Sequence, residues 1–161
     1  RLFKRYAIPF RTYNMVGLPG ETLEDAFKTV KLNIEIGTDY PWCSLFYPYP
    51  GTQLNSYADR NKLIDREDLL KGHVTFFKKS IIKSEHNNAL SNLQKLFLYA
   101  VKFPGLFSYI KKLIQVKANI FFDLLFLAGY GWSYLRSERK SFLEVLRVGV
   151  KNVVTFYLKE K

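Results

Sequence analysis

A chain of 161 residues with 48% apolar and 17% aromatic side chains has ample surface to bury, which excludes a disordered charged tail. The length suits one modest domain and falls short of an eight-stranded α/β barrel, which needs about 250 residues. The net charge of +11 is unevenly placed: residues 1–59 carry six basic and six acidic side chains, so the surplus lies in residues 60–161.

That surplus points to an anionic partner such as phospholipid headgroups, nucleic acid or a phosphorylated substrate, unless it simply solvates a helical surface. No run of five or six consecutive basic residues occurs and no recognised nucleic-acid motif is present, so no nucleic-acid partner is expected. The single cysteine, Cys43, excludes an internal disulfide and cannot by itself build a zinc or iron–sulfur centre. The sequence starts at Arg1 without a charged-then-apolar leader, which leads us to expect a processed start or a piece of a longer chain.

Residues 7–16, AIPFRTYNMV, mix β-branched, aromatic and apolar side chains and predict a strand from Pro9 to Val16. GLPGET follows as a tight turn, with Thr22 as N-cap and Asp25 completing a variant capping box. Leu23, Ala26, Phe27, Val30, Ile34 and Ile36 then recur at helical spacing, and Gly37 supplies a left-handed stop. Residues 40–47, YPWCSLFY, predict a second strand closed by PYPGT. Strand, helix and strand in that order make a βαβ unit, so the strands should run parallel. Parallel sheets are covered on both faces and usually hold several strands, so further strands are expected upstream.

Residues 55–84 are polar and mixed, and predict a connector with one short helix near 66–72 and an extended stretch from His73 to Ile82. From Ser84 onward the pattern is helical. Leu90, Leu93, Leu96, Phe97, Ala100 and Val101 line one face before Pro104–Gly105 breaks the run. Leu106 to Val116, Asn119 to Leu135 and Ser141 to Leu158 make three more predicted helices. The last carries a polar stripe of Glu144, Arg147, Lys151, Thr155 and Lys159 opposite Leu146, Val150, Val153 and Tyr157. The Asn119–Leu135 helix is an apolar run interrupted by Asp123, too short and too interrupted for the roughly 20 residues of a membrane span. It suits a buried core helix or a helix lying in a membrane surface. The predicted organisation is therefore α/β over residues 1–58, a connector over 59–84 and an α-helical region over 85–161.

GLPGET joins a strand's C-terminal end to a helix N-terminus, the edge where parallel α/β folds gather ligands. Gly17 and Gly20 permit conformations and close approaches that a side chain would block. The turn is neither a GxGxxG dinucleotide fingerprint nor a phosphate loop ending in Gly-Lys-Ser/Thr. Taken alone, such a turn is usually structural. His73 and His86 lack neighbours at metal-ligand spacing and suit surface or capping positions.

Two motifs in order, YNMVGLPGETLEDAFKTV and then SLFYPYPGTQL, resemble the C-terminal half of a radical S-adenosylmethionine (SAM) barrel. The resemblance is nearest to the class carrying an N-terminal cobalamin-binding domain, covers residues 1–58, and continues more weakly in SEHNNALSNLQKLFLYAVKFPGLFSYIKKLI. It implies a partial TIM-barrel fragment in which the first strand is the fifth of six and its turn shapes the SAM pocket. On that basis Tyr13, Met15 and Gly17 face the lumen, Met15 contacts adenine, and Leu18, Pro19 and Gly20 form the rim. Glu21 braces that rim through backbone N–H groups, while Phe46, Tyr47, Pro48 and Tyr49 border the SAM or substrate pocket. For those aromatics core packing is an equal alternative. Several relatives have an acid at the position of Tyr13, so an aromatic there departs from the ribose contact.

The resemblance further implies a [4Fe–4S] cluster held by C-x3-C-x2-C, with cobalamin as a second cofactor. Cys43 stands alone, so we read it as a buried apolar residue and expect the cluster ligands upstream. The implied activity is reductive cleavage of SAM to a 5′-deoxyadenosyl radical, with methyl transfer or another modification of an unactivated carbon as the outcome. The substrate would be a small molecule or a lipid, and the protein cytoplasmic. The alternative is a basic helical module that docks on an anionic membrane at its inner face. The two can coexist.

Overall fold

Local sequence forces set each of the first elements. The computed structural model describes residues 2–64, 80–117, 120–138 and 144. A one-turn helix, α1 (Leu2–Arg5), precedes strand β1 (Arg11–Val16), which begins two residues after the expected Pro9. Helix α2 (Leu23–Ile36) starts at a full capping box: the Asp25 N–H donates to Thr22 Oγ1 at 3.2 Å and the Thr22 N–H to Asp25 Oδ2 at 3.3 Å. It ends on Gly37 at φ 64°, the left-handed conformation a side chain disfavours. Strand β2 (Tyr40–Leu45) pairs parallel with β1, in register Arg11 to Tyr40 through Val16 to Leu45.

This is the expected βαβ unit, and its sheet has two unlike faces. Thr12, Asn14, Val16, Pro41, Cys43 and Leu45 alternate onto one face, which α2 and α4 (Asn87–Lys102) cover. Val16, Cys43 and Leu45 join Phe27, Val30, Leu90, Leu93 and Phe97 in the main core. Beneath β1 the fully buried Asn33 of α2 accepts from Thr12 Oγ1 at 2.6 Å and donates to Asn14 Oδ1 at 2.7 Å. The hydrogen bonds are what allow a carboxamide to sit there.

After β2 the chain makes α3 (Gln53–Arg60), which lies where the sequence suggested only connector. Its N-cap is Thr52, whose Oγ1 accepts from the Asn55 N–H at 3.2 Å. Ile64 and Ile82 form an antiparallel bridge and pack with Phe46 and Ala58 in a second, smaller core. The short helix expected near 66–72 and most of the extended stretch from His73 lie outside the described residues.

The helical region that follows is layered on α4. A 3-10 turn, Pro104–Leu106, leads into α5 (Phe107–Leu113), which inserts Phe107 and Ile110 into the core, and α6 (Ile120–Glu138) contributes Phe122. Helix α4 is buried on nearly all sides rather than on one face, because the sheet and α2 pack on one side and α5 and α6 on the other. Gly129 lets α6 approach closely: a Cβ there would lie 2.8 Å from Leu98 Cδ2 and 3.0 Å from Tyr99 Oη. The Tyr99 hydroxyl donates to the Leu125 carbonyl at 2.7 Å across the same seam. The predicted helix from Ser141 lies outside the described residues except for Glu144.

Candidate functional site

The turn after β1 is held from within. Gly17 and Gly20 adopt φ 81° and 82°, conformations that glycine reaches without strain. Glu21 folds back so that its Oε2 accepts the N–H of Gly17 and, at 2.9 Å, that of Leu18, while the Glu21 N–H donates to the Leu18 carbonyl at 3.0 Å. Two amides that would otherwise be unpaired at a strand end are thereby satisfied. Burial raises the Glu21 pKa above its ordinary value, and the Leu18 and Gly17 amides offset only part of that shift. Behind the turn, buried Ser80 lies against Gly17, its Oγ 3.7 Å from where a Cβ would project.

On the other face of the sheet, Arg11, Tyr13 and Met15 of β1 stand beside Tyr40, Trp42 and Ser44 of β2. Tyr13 is 76% and Met15 46% exposed, high for large apolar side chains in the interior of a strand. Trp42 is instead flanked by α6, with its ring 5.0 Å from Tyr130 in a T-shaped contact. At the strand starts, an open groove of about 450 Å³ runs between Pro9, Arg11, Tyr13, Tyr40 and the Arg136–Glu138 end of α6, where Arg11 Nη2 donates to Ser137 Oγ. It lies at the end of the sheet opposite the Gly17–Glu21 turn.

The remaining predicted rim residues divide. Leu18 and Pro19 are half-buried and Gly20 is exposed, so the turn's outer surface is open to a ligand. Phe46 and Pro48 are buried, with Phe46 in the smaller core. Tyr47 is half-buried and packs edge-on against exposed Tyr49 with ring centroids 5.0 Å apart. Cys43 is free and buried under α4, where burial pushes its thiol pKa far up and leaves it unsuited to ligating iron. His86 sits at the N-cap of α4 without a side-chain cap bond, and His73 lies outside the described residues. Among the described residues no group of three or more His, Cys, Asp or Glu side chains could hold a metal ion.

The pattern reading missed a set of buried polar groups on α4. Lys95, 5% exposed, pairs with Asp123 of α6 at 2.6 Å. Gln94 donates to the Cys43 carbonyl at 3.1 Å, and Asn92 to the Ile114 and Val116 carbonyls at 2.9 and 2.8 Å. The interruption of the predicted Asn119–Leu135 helix by Asp123 was the sequence signal that a basic partner lay inside.

A parallel βαβ unit whose glycine turn lies at the C-terminal end of its first strand, with one sheet face covered and the other open at Tyr13 and Met15, defines part of a parallel α/β protein. Over 45 residues the chain is 47% identical to the tRNA-2-methylthio-N(6)-dimethylallyladenosine synthase of Aromatoleum aromaticum, a match covering 28% of this chain. The chain spans about a tenth of that relative's length. This likeness supports the radical SAM superfamily and nothing finer within it. No family model matches the chain, and no solved structure matches it.

Proposed function

We propose that this chain supplies the closing strands and C-terminal helices of a radical SAM enzyme, with the β1 turn forming part of the rim that holds SAM. The observation that carries the proposal is the Glu21-braced glycine turn at the C-terminal end of β1, beside Met15 and Tyr13 on the open face. A strand end of this kind offers a ligand unobstructed backbone at Gly20, an apolar thioether at Met15 and an aromatic edge at Tyr13. These residues fit the adenosine part of SAM. When bound, SAM supplies the reactive 5′-deoxyadenosyl group, and this chain's own residues orient it and exclude water.

The fit does not extend to the iron–sulfur cluster. The sole cysteine is buried with a raised thiol pKa, so the cluster ligands belong to a segment outside this sequence. The finer assignment is the cobalamin-binding class with methyl transfer as the outcome, and it rests on the motif pair YNMVGLPGET and SLFYPYPGTQL.

The test is the polypeptide encoded by the complete reading frame, purified without oxygen, reconstituted with iron and sulfide, and reduced with dithionite. Formation of 5′-deoxyadenosine from SAM is expected. A reconstituted polypeptide that binds a cluster yet leaves SAM intact would overturn the proposal, as would a reading frame without C-x3-C-x2-C.

A further inference from the structure

Helix α6 is apolar on both its inward and its outward side. Phe122, Gly129 and Ser133 are buried, with Leu125 packed on the core and Phe126 and Tyr130 on Trp42, while Ile120, Leu124, Leu127, Ala128 and Trp132 are exposed along the opposite side. Ile120 is 75% and Leu124 57% exposed. Ile120, Leu124, Leu127 and Ala128 follow helical spacing, so the outward face is apolar over more than two turns. Exposed apolar faces of this length on a soluble chain mark an interaction surface.

The charges around that face select its partner. Lys112 of α5 and Lys117 are exposed just before α6 begins, and Arg136 lies in its last turn, stacked 6.0 Å from the Trp132 ring. The acid nearest the start of the face, Asp123, is paired with Lys95, and the other acid on the helix, Glu138, is its terminal residue. Leu106 of the 3-10 turn and Tyr109 and Leu113 of α5 are exposed as well. An apolar helix face with cations in the segment before it and in its last turn is the form of a helix that lies in the plane of an anionic bilayer. Among the described residues no helix is long and apolar enough to cross one.

We propose that the outward face of α6, with the Lys112–Lys117 edge, is a docking surface for an anionic lipid bilayer. The helix rests along the interface, Leu124 and Leu127 enter the acyl boundary, and the lysines meet headgroup phosphates. This proposal stands apart from the SAM reading, since no residue of the β1 turn takes part in it.

Trp132 provides the reporter, because Trp42→Phe leaves it as the lone tryptophan. The Trp42→Phe chain is titrated with neutral phosphatidylcholine vesicles and with vesicles containing phosphatidylglycerol. A blue shift of Trp132 emission is expected with the anionic vesicles, with partitioning stronger by about tenfold or more than for neutral ones. Lys112→Glu/Lys117→Glu should remove that preference. Leu124→Asp/Leu127→Asp should abolish binding while leaving the far-ultraviolet circular dichroism unchanged, since both residues are exposed. Equal partitioning into both vesicles overturns the proposal. So does absence of a shift, which means another protein surface covers the face. A shift that depends on protein concentration alone identifies self-association and also overturns it.

Discussion

Glu21 and Gly17 close the β1 turn together: the Glu21 carboxylate takes the Gly17 N–H, and with it that of Leu18, so the glycine's left-handed backbone is held by a side chain four residues on. Removing the carboxylate leaves both amides without their acceptor. Glu21→Ala should destabilise the chain by about 1–3 kcal/mol in chemical denaturation. Because burial raises the Glu21 pKa, the stability tied to its proton is full below the ordinary value of 4.5 and is lost as pH rises through the raised one. Glu21→Gln should flatten that loss in a series of midpoints from pH 4 to 8. A wild-type slope retained in the variant would assign it elsewhere.

The start of α2 gives the opposite sign. Asp25 is lowered to about 2, first by the Lys28 ammonium and then by the Thr22 hydroxyl and N–H. Its contribution is present above the ordinary value of 3.8 and is lost as pH falls toward 2. The stability gap between wild type and Asp25→Asn should be constant near neutrality and close across that acid window. Thr22→Ala should cost about 1 kcal/mol, measured at neutral pH.

Lys95 and Asp123 form an ion pair whose two ends differ in burial, 5% and 49% exposed. Asp123→Ala strands a buried ammonium and should cost about 3 kcal/mol, the low end for such pairs because Asp123 stays partly solvated. Lys95→Met should be close to neutral, since it removes the desolvated charge and keeps the packing. Equal losses for the two variants would contradict this account.

At the α4–α6 seam, Gly129→Ala forces a methyl group to within 2.8 Å of Leu98. Leu98 must turn aside and Tyr99, held by the Leu125 carbonyl, must give slightly, at a cost of about 1 kcal/mol in thermal or denaturant unfolding. Gly131→Ala, two positions on and facing open space, should be neutral or stabilising.

The βαβ unit was legible because its signals are local: the alternation of β1, the Thr22–Asp25 box and the Gly37 stop each act within a few residues. Helix α3 was not, because its apolar content is confined to Leu54, Tyr57 and Ala58, too little for a periodic stripe; Thr52 after Pro50–Gly51 was the usable cue. For α4 the one-sided stripe of Leu90, Leu93, Leu96 and Phe97 was right but incomplete. Burial from two sides also encloses Asn92, Gln94 and Lys95, whose partners on β2, α5 and α6 are distant in sequence. The Glu21 brace followed from family resemblance and is present as hydrogen bonds. Burial of Pro48 beside exposed Tyr49 depends on tertiary packing that pattern does not encode.

The central element of the proposed function is Met15 at a SAM-holding rim. Its most direct test is equilibrium binding of SAM to the complete, cluster-loaded polypeptide carrying Met15→Asp, a change at a half-exposed site that leaves the core intact. A carboxylate against the adenine should weaken binding by about tenfold or more with an unchanged melting temperature. Wild-type affinity in that variant would contradict the account.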